Sequence, residues 1–184
     1  EILEKKCNKN KLGYSRKIIT SSEDQKNVWD VRKAGLGLMM NVPGDMKPLP
    51  FVEDTAVPPE MLPKYVNEFT NILKQHNTTA GYYGHAGEGC LHIRPVLNLK
   101  EISDIQRMES IAEEISDLVI KFGGSLSGEH GDGLVRGIYL EKLFGKDICS
   151  AFSEVKNAFD PKGIMNPGKI VNSPKITDNL KQEI

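Results

Sequence analysis

Two short segments hold three of the chain's four histidines and most of its usable chemistry. The first is Gly84-His85-Ala86-Gly87-Glu88-Gly89-Cys90-Leu91-His92. The second is Ser127-Gly128-Glu129-His130-Gly131-Asp132-Gly133. If Glu88-Gly89 forms a two-residue hairpin loop, Gly89 supplies the positive φ such a turn needs, and His85 faces His92. Directly opposed residues share one face of a sheet with Cβ atoms ~4.5–5.5 Å apart, close enough for two imidazoles to converge on one ion. Tyr83 and Arg94 form the next pair on that face. A divalent ion also wants an anionic third ligand and an open position for substrate, and Glu129 is placed to supply the ligand. His130 then lies beside the ion without binding it. An imidazole there, with an unperturbed pKa near ~6.5, is a candidate general base. A lone strand histidine is usually a plain surface or core group, so the inference rests on the pair. His76, at a helix end, reads simply as a favourable charge for the helix dipole.

The elements that must position these groups follow from patterning. Tyr14 to Thr20 reads as a short strand. Ser21 and Ser22, followed by Asp24 and Gln25, cap a helix carrying Val28, Trp29, Val31 and Arg32, which Gly35 and Gly37 fray. A Pro/Gly-rich loop covers Pro43 to Pro50. Phe51 to Val57 is a strand candidate, and Pro58-Pro59-Glu60 opens a helix with Leu62, Val66, Phe69, Ile72 and Leu73 as its apolar stripe. Thr78 to His85 and Cys90 to Leu97 are strands around the Gly-rich turn. A long helix places Ile102, Ile105, Met108, Ile111, Ile115, Leu118, Val119 and Phe122 on one face, and Gly123-Gly124 ends it. Ser125 to Glu129 is a short strand, and a last helix runs from about Phe144 to Phe159, where Asp160-Pro161-Lys162-Gly163 stops it. From residue 49 to 129 the order is β-α-β-β-α-β. That predicts an α+β fold of the ferredoxin-like split βαβ type, an antiparallel sheet with helices on one face and extra helices flanking it.

Bulk properties narrow the function classes. The 184 residues suffice for one domain with its own core. Net charge is −1 and aromatics make up 7%, which gives no footing for nucleic acid. The three cysteines, Cys7, Cys90 and Cys149, are widely spaced and odd in number, so a reducing, cytoplasmic setting is expected. No apolar run approaches the ~20 residues of a membrane helix. The chain starts without Met or a leader and reads as part of something longer.

At the two histidine segments the chain resembles the C-terminal, substrate-binding (cap) domain of FAD-linked oxidases and dehydrogenases of the vanillyl-alcohol oxidase superfamily. Within it, the D-2-hydroxyglutarate, D-lactate and glycolate types are most similar. Two further stretches carry the resemblance: Phe51-Val52-Glu53-Asp54-Thr55-Ala56-Val57-Pro58, and Asp160-Pro161-Lys162-Gly163-Ile164-Met165-Asn166-Pro167-Gly168-Lys169. It covers about residues 25–171, leaving 1–24 as a connection from a missing flavin domain and 172–184 as a loose tail. The resemblance implies a divalent metal, often zinc, on His85, His92 and Glu129, with His130 as base. It implies substrate carboxylate contacts from Arg32 and Lys47, and an approach to the flavin by Asn166. Solvation of a helix face for Arg32, of a loop for Lys47, and a turn-forming role for Asn166 stay open beside these roles. The pattern departs from the family at Glu88 and Cys90, where Asp and Asn are usual, at Leu36, where some relatives have Thr, and at Arg94, where many have Asn. A cation at Arg94 would favour a second carboxylate on the substrate.

The reaction so implied is oxidation of a D-2-hydroxyacid to a 2-oxoacid with hydride transfer to FAD. The FAD-binding domain lies elsewhere, so the chain alone should be inactive. The wording around Leu91-His92-Ile93-Arg94-Pro95 is similar to large bacterial forms with a further iron–sulfur domain. A homodimer through the exposed docking face, and a peripheral membrane association through the electron acceptor, are further expectations. A stand-alone metal-dependent hydrolase and a non-catalytic metal-binding module are the alternatives.

Overall fold

The computed structural model describes residues 2–15 and 17–180. The chain divides into two compact units, Glu1–Asn41 and Val42–Ile184. Residues 24 and 25 lie within one helix of the first unit.

The first unit holds α1 (Ile2–Lys9) and α2 (Ser22–Met40). Ser21 caps α2 by accepting the Asp24 amide at 3.1 Å, as its residue type predicts. The helix does not fray at Gly35 and Gly37. Each glycine costs roughly 1 kcal/mol against alanine but leaves the backbone hydrogen bonds intact. Apart from Arg16, which is outside the described residues, Tyr14 to Thr20 is irregular rather than a strand. The described residues of this unit offer it no strand to pair with.

The second unit is α+β. Its strands are β1 (Lys47–Pro48), β2 (Thr55–Ala56), β3 (Ala80–His85) and β4 (Cys90–Leu97). Its helices are α3 (Leu62–Gln75), α4 (Ile102–Lys121), α5 (Leu140–Phe144) and α6 (Lys146–Phe159). β4 is central and antiparallel to its neighbours, with β3 along one edge and β2 and β1 sharing the other. Ser125 bridges to Ala56 on the far side of β2. The resulting order, Ser125 bridge, β2, β4, β3, is the split βαβ arrangement expected from the sequence.

β4 sorts its side chains by the two-residue period of a strand. Ile93 and Leu97 join Tyr65, Phe69 and Leu73 of α3 and Met108, Ile111, Ile115 and Val119 of α4 in one buried core. Tyr65 was not part of the expected stripe. Its ring packs edge-on to Phe69 and Phe122, and its hydroxyl meets Thr55 Oγ1 at 2.7 Å, which lets a tyrosine be fully buried. Each such side chain contributes roughly 1.5–3 kcal/mol on burial. Cys90, His92 and Arg94 alternate with these residues and point to the sheet's other face.

Three expected elements differ. Only Thr55–Ala56 of the 51–57 stretch is strand, because Asp54 takes φ +71° and breaks the extended run. Ser125 to Glu129 keeps one bridge and then curls onto Asp54, with the Gly128 amide donating to the Asp54 carbonyl at 2.7 Å. The last helix is preceded by a separate turn of helix, α5, broken from α6 at Gly145. The tail is docked as far as it is described: Ile176 and Leu180 pack on the core, and Thr177 donates to Glu109 at 3.0 Å.

The hairpin register also shifts by two. His85 pairs with Cys90, and Tyr83 with His92. The loop is four residues, a single 3-10 turn over Ala86–Glu88 closed by Gly89 at φ +71°. A shift of two preserves the face, so His85 and His92 still point the same way. A Cβ on Gly89 would lie 1.8 Å from the Val57 carbonyl oxygen. Gly89→Ala therefore adds a backbone clash to a left-handed conformation that alone costs roughly 1–2 kcal/mol. The expected result is a loss of at least about 3 kcal/mol in urea unfolding; a change under about 1 kcal/mol would contradict this reading of the turn.

Candidate metal and base site

The site is built on two neighbouring carboxylates that break the 51–57 stretch. Asp54 is fully buried and accepts four donors: the Ser127 hydroxyl at 2.6 Å, the His130 amide at 2.8 Å, the Glu129 amide at 3.1 Å and the Cys90 thiol at 3.4 Å. Burial alone would push its pKa up. The Ser127 hydroxyl and the two amides outweigh that and hold it at about 2. This carboxylate pins the 127–130 segment against β4. Gly128 permits the close approach, since a Cβ there would sit 2.9 Å from Cys90 Sγ.

Pinned in this way, Glu129 meets the hairpin imidazoles. Its carboxylate lies 3.3 Å from His85 Nε2 and 3.7 Å from His92 Nε2, through different oxygens. The two rings meet edge to face at 5.5 Å. His92 is buried and its Nδ1 has no hydrogen-bond partner; Glu53 and Asp54 stand 3.8 and 3.9 Å away. Burial pushes the His92 pKa down, against the opposing pull of Glu53. That favours the neutral imidazole, the form that ligates metals. His130 stacks on His92 at 5.1 Å and 11°, with its Nε2 3.9 Å from Glu129. It is half exposed, whereas His92 is shielded.

Glu129 offers its two oxygens to two imidazoles, a donor set of the kind that suits a divalent cation, while the orphaned His92 Nδ1 faces Glu53 and Asp54 on the other side of its ring. Among the described residues, donor atoms of Asp54, Cys90, His92 and Glu129 lie within 4.8 Å of one another, as do those of Glu53, His92 and His130; His85 belongs to neither group and meets the site through Glu129 and the His92 ring. Asp54 is taken up by its four donors, and burial with Asp54 beside it pushes the Cys90 thiol up to about 12. Glu129 is the carboxylate turned toward the Nε2 atoms of His85 and His92.

The remaining sequence candidates are placed as follows. Arg94 lies on the site face, buried, with Nη2 2.9 Å from Glu53 and Nε donating to the Tyr83 hydroxyl at 3.1 Å. Lys47 donates to the Val42 carbonyl at 2.6 Å. Asn166 is exposed at φ +45° in the loop after α6, which Asp160 organises by accepting the Ile164 and Met165 amides. Arg32 lies on α2 in the first unit. Sequence reasoning missed Glu53 and Asp54 as site residues. The available signal was two adjacent carboxylates inside an apolar stretch, where burial is costly without partners.

Comparisons with known proteins identify the family. The chain matches FAD linked oxidases, C-terminal domain, over residues 1–170, and it belongs to that family. It is 40% identical to D-2-hydroxyglutarate dehydrogenase of Haemophilus influenzae over 169 residues, 92% of this chain and 16% of that protein. It is 41% identical to the Escherichia coli protein of the same name over 78% of this chain and 14% of that one. Glycolate oxidase subunit GlcD of Bacillus subtilis is 34% identical over 68% of this chain and 27% of its own length. The chain thus spans about one sixth of the D-2-hydroxyglutarate dehydrogenases it matches. These matches give no support to a stand-alone hydrolase.

Asp54→Asn tests the pin. The acid's folded pKa is depressed, so its contribution is present above the unfolded value near ~3.9 and is lost as pH falls toward 2. At neutral pH the variant should lose about 2 kcal/mol in chemical denaturation, and it should lack the wild type's fall in stability below about pH 4. Parallel pH curves for the two proteins would refute the assignment.

Proposed function

We propose that this chain is the substrate- and metal-binding part of a flavin-dependent D-2-hydroxyacid dehydrogenase, and that D-2-hydroxyglutarate is its first candidate substrate. The observation that supports the reading is Glu129 standing 3.3 Å from His85 Nε2 and 3.7 Å from His92 Nε2, with His130 Nε2 3.9 Å away. The family match and the printed names of the relatives support it.

When bound, a divalent cation on His85, His92 and Glu129, with zinc the first expectation, supplies Lewis acidity, and the FAD carried by the rest of the protein accepts a hydride. His130 takes the substrate's hydroxyl proton on Nε2. The α-carbon gives up its hydride, and the product is the 2-oxoacid. Arg32 of the first unit and Lys47 of the second are each, by resemblance to the family, candidates to bind the carboxylate next to the reacting carbon. Asn166 approaches the flavin. Arg94 adds positive charge near a distal carboxylate, although its guanidinium hydrogens serve Glu53 and Tyr83 first.

More than four-fifths of the D-2-hydroxyglutarate dehydrogenases matched lies outside the match, which leaves room for a flavin domain and an iron–sulfur domain. Val28, Trp29, Val31 and Leu38 of α2 are exposed, and a docked domain or a second copy would cover them. Among the described residues no helix is long and apolar enough to cross a membrane. Cys90 and Cys149 are free thiols, in keeping with a cytoplasmic protein.

The test uses the full-length protein that carries this chain. His85→Ala should weaken zinc in calorimetric titration by more than the 10–100-fold that losing an outer-shell partner costs. Equal affinity in both proteins would remove His85 from the ligand set. His130→Asn should retain metal and lose about 10²–10⁴-fold in kcat with D-2-hydroxyglutarate. Unchanged turnover would show that His130 is not the base.

A further inference from the structure

We propose that Glu53, held by Arg94, is the positioning residue that fixes the ring and tautomer of His130. This deepens the reading above and rests on His130 acting as the base.

The geometry forms a chain of contacts. Tyr83 accepts from Arg94 Nε at 3.1 Å. Arg94 Nη2 meets Glu53 Oε2 at 2.9 Å, and Glu53 Oε1 meets His130 Nδ1 at 3.1 Å. Glu53 and Arg94 are both more than nine-tenths buried. A buried carboxylate without partners would be costly; here each oxygen has its own donor. Arg136 braces the backbone on both sides, donating to the Glu53 carbonyl at 3.3 Å and to the Gly131 carbonyl at 2.6 Å.

An ionised carboxylate only accepts hydrogen bonds. A partner of that kind on Nδ1 keeps the proton there and leaves the Nε2 lone pair facing Glu129 and the open side of the site. The stacked His92 ring limits rotation from the other face. A glutamine at position 53 would lose this direction, because its amide can donate to Nδ1 as readily as it accepts, which permits the wrong tautomer. The arrangement also gives the Arg94 charge a function: it occupies one Glu53 oxygen, fixes the plane of the carboxylate and leaves the other oxygen to the histidine.

The experiment compares wild type, Glu53→Gln, Glu53→Asp and Arg94→Lys in the full-length protein. Metal content is read by elemental analysis, turnover with D-2-hydroxyglutarate by steady-state kinetics, and His130 reactivity by site-resolved mass spectrometry after diethyl pyrocarbonate. Labelling is done at about pH 8.5, where an ordinary imidazole is neutral, so that it reports access to the Nε2 lone pair. Glu53→Gln should keep its metal and its KM, lose about 10²-fold in kcat, and label at His130 several-fold more slowly while His76 is unchanged. Glu53→Asp should recover part of both signals, and Arg94→Lys should fall between. Unchanged His130 labelling and kcat in Glu53→Gln would overturn the proposal. A fall in kcat that only tracks lost metal would also overturn it, since Glu53 would then be holding the cation. If labelling responds as expected but wild type oxidises no hydroxyacid, the positioning role stands and the proposed reaction falls.

Discussion

The acceptor capacity of one buried carboxylate organises this molecule's chemistry. Asp54 gathers two backbone amides, a hydroxyl and a thiol from two distant segments, and it thereby ties β4 to the 127–130 segment. Its left-handed backbone turns the carboxylate inward and ends the extended run on which it sits. The broken strand is therefore part of the site. The stretch gives up its extended backbone at Asp54, while keeping the Asp54 amide bonded to Leu91 of β4, so that one carboxylate can pin a backbone and the other can reach an imidazole.

These neighbours divide the work by direction. Asp54 faces main-chain amides and sets where Glu129 and His130 begin. Glu53 faces the Arg94 and His130 side chains. Glu129, the third carboxylate, is left facing imidazoles. Three acids within a few ångströms would repel one another in a dry interior; hydrogen bonds and a guanidinium make the cluster tolerable, and a cation would relieve it further. The core beneath contributes rigidity through β4, whose alternate residues belong to the apolar cluster on one side and to the site on the other.

Much of this was legible in the sequence. The order of elements, the Ser21 cap and the two long helices followed from periodicity and capping, because those signals are local. The placing of His85 and His92 on one face of the hairpin, each near Glu129, followed from the alternation of strand residues and a glycine-flanked turn. The register did not, since the loop length depends on Gly89 fitting under the Val57 carbonyl, a contact between segments. Glu53 and Asp54 were hidden for the same reason. In a strand pattern they look like one inward and one outward residue, and only the distant donors reveal what they do. Lys47 illustrates the reverse limit: a stretch that reads as a Pro/Gly loop becomes β1 because β4 has an open edge to offer.

The separations along the chain say something about the order of assembly. The β3–β4 hairpin joins residues close in sequence, so it closes early and cheaply. The bonds from Asp54 to Glu129 and His130 span 75 and 76 residues, and that from Glu53 to His130 spans 77. Closing such loops costs more chain entropy than closing the hairpin, although the cost grows only slowly with length. The two histidines of the hairpin are thus placed by local contacts, whereas the carboxylates and His130 meet only when distant parts of the chain have come together.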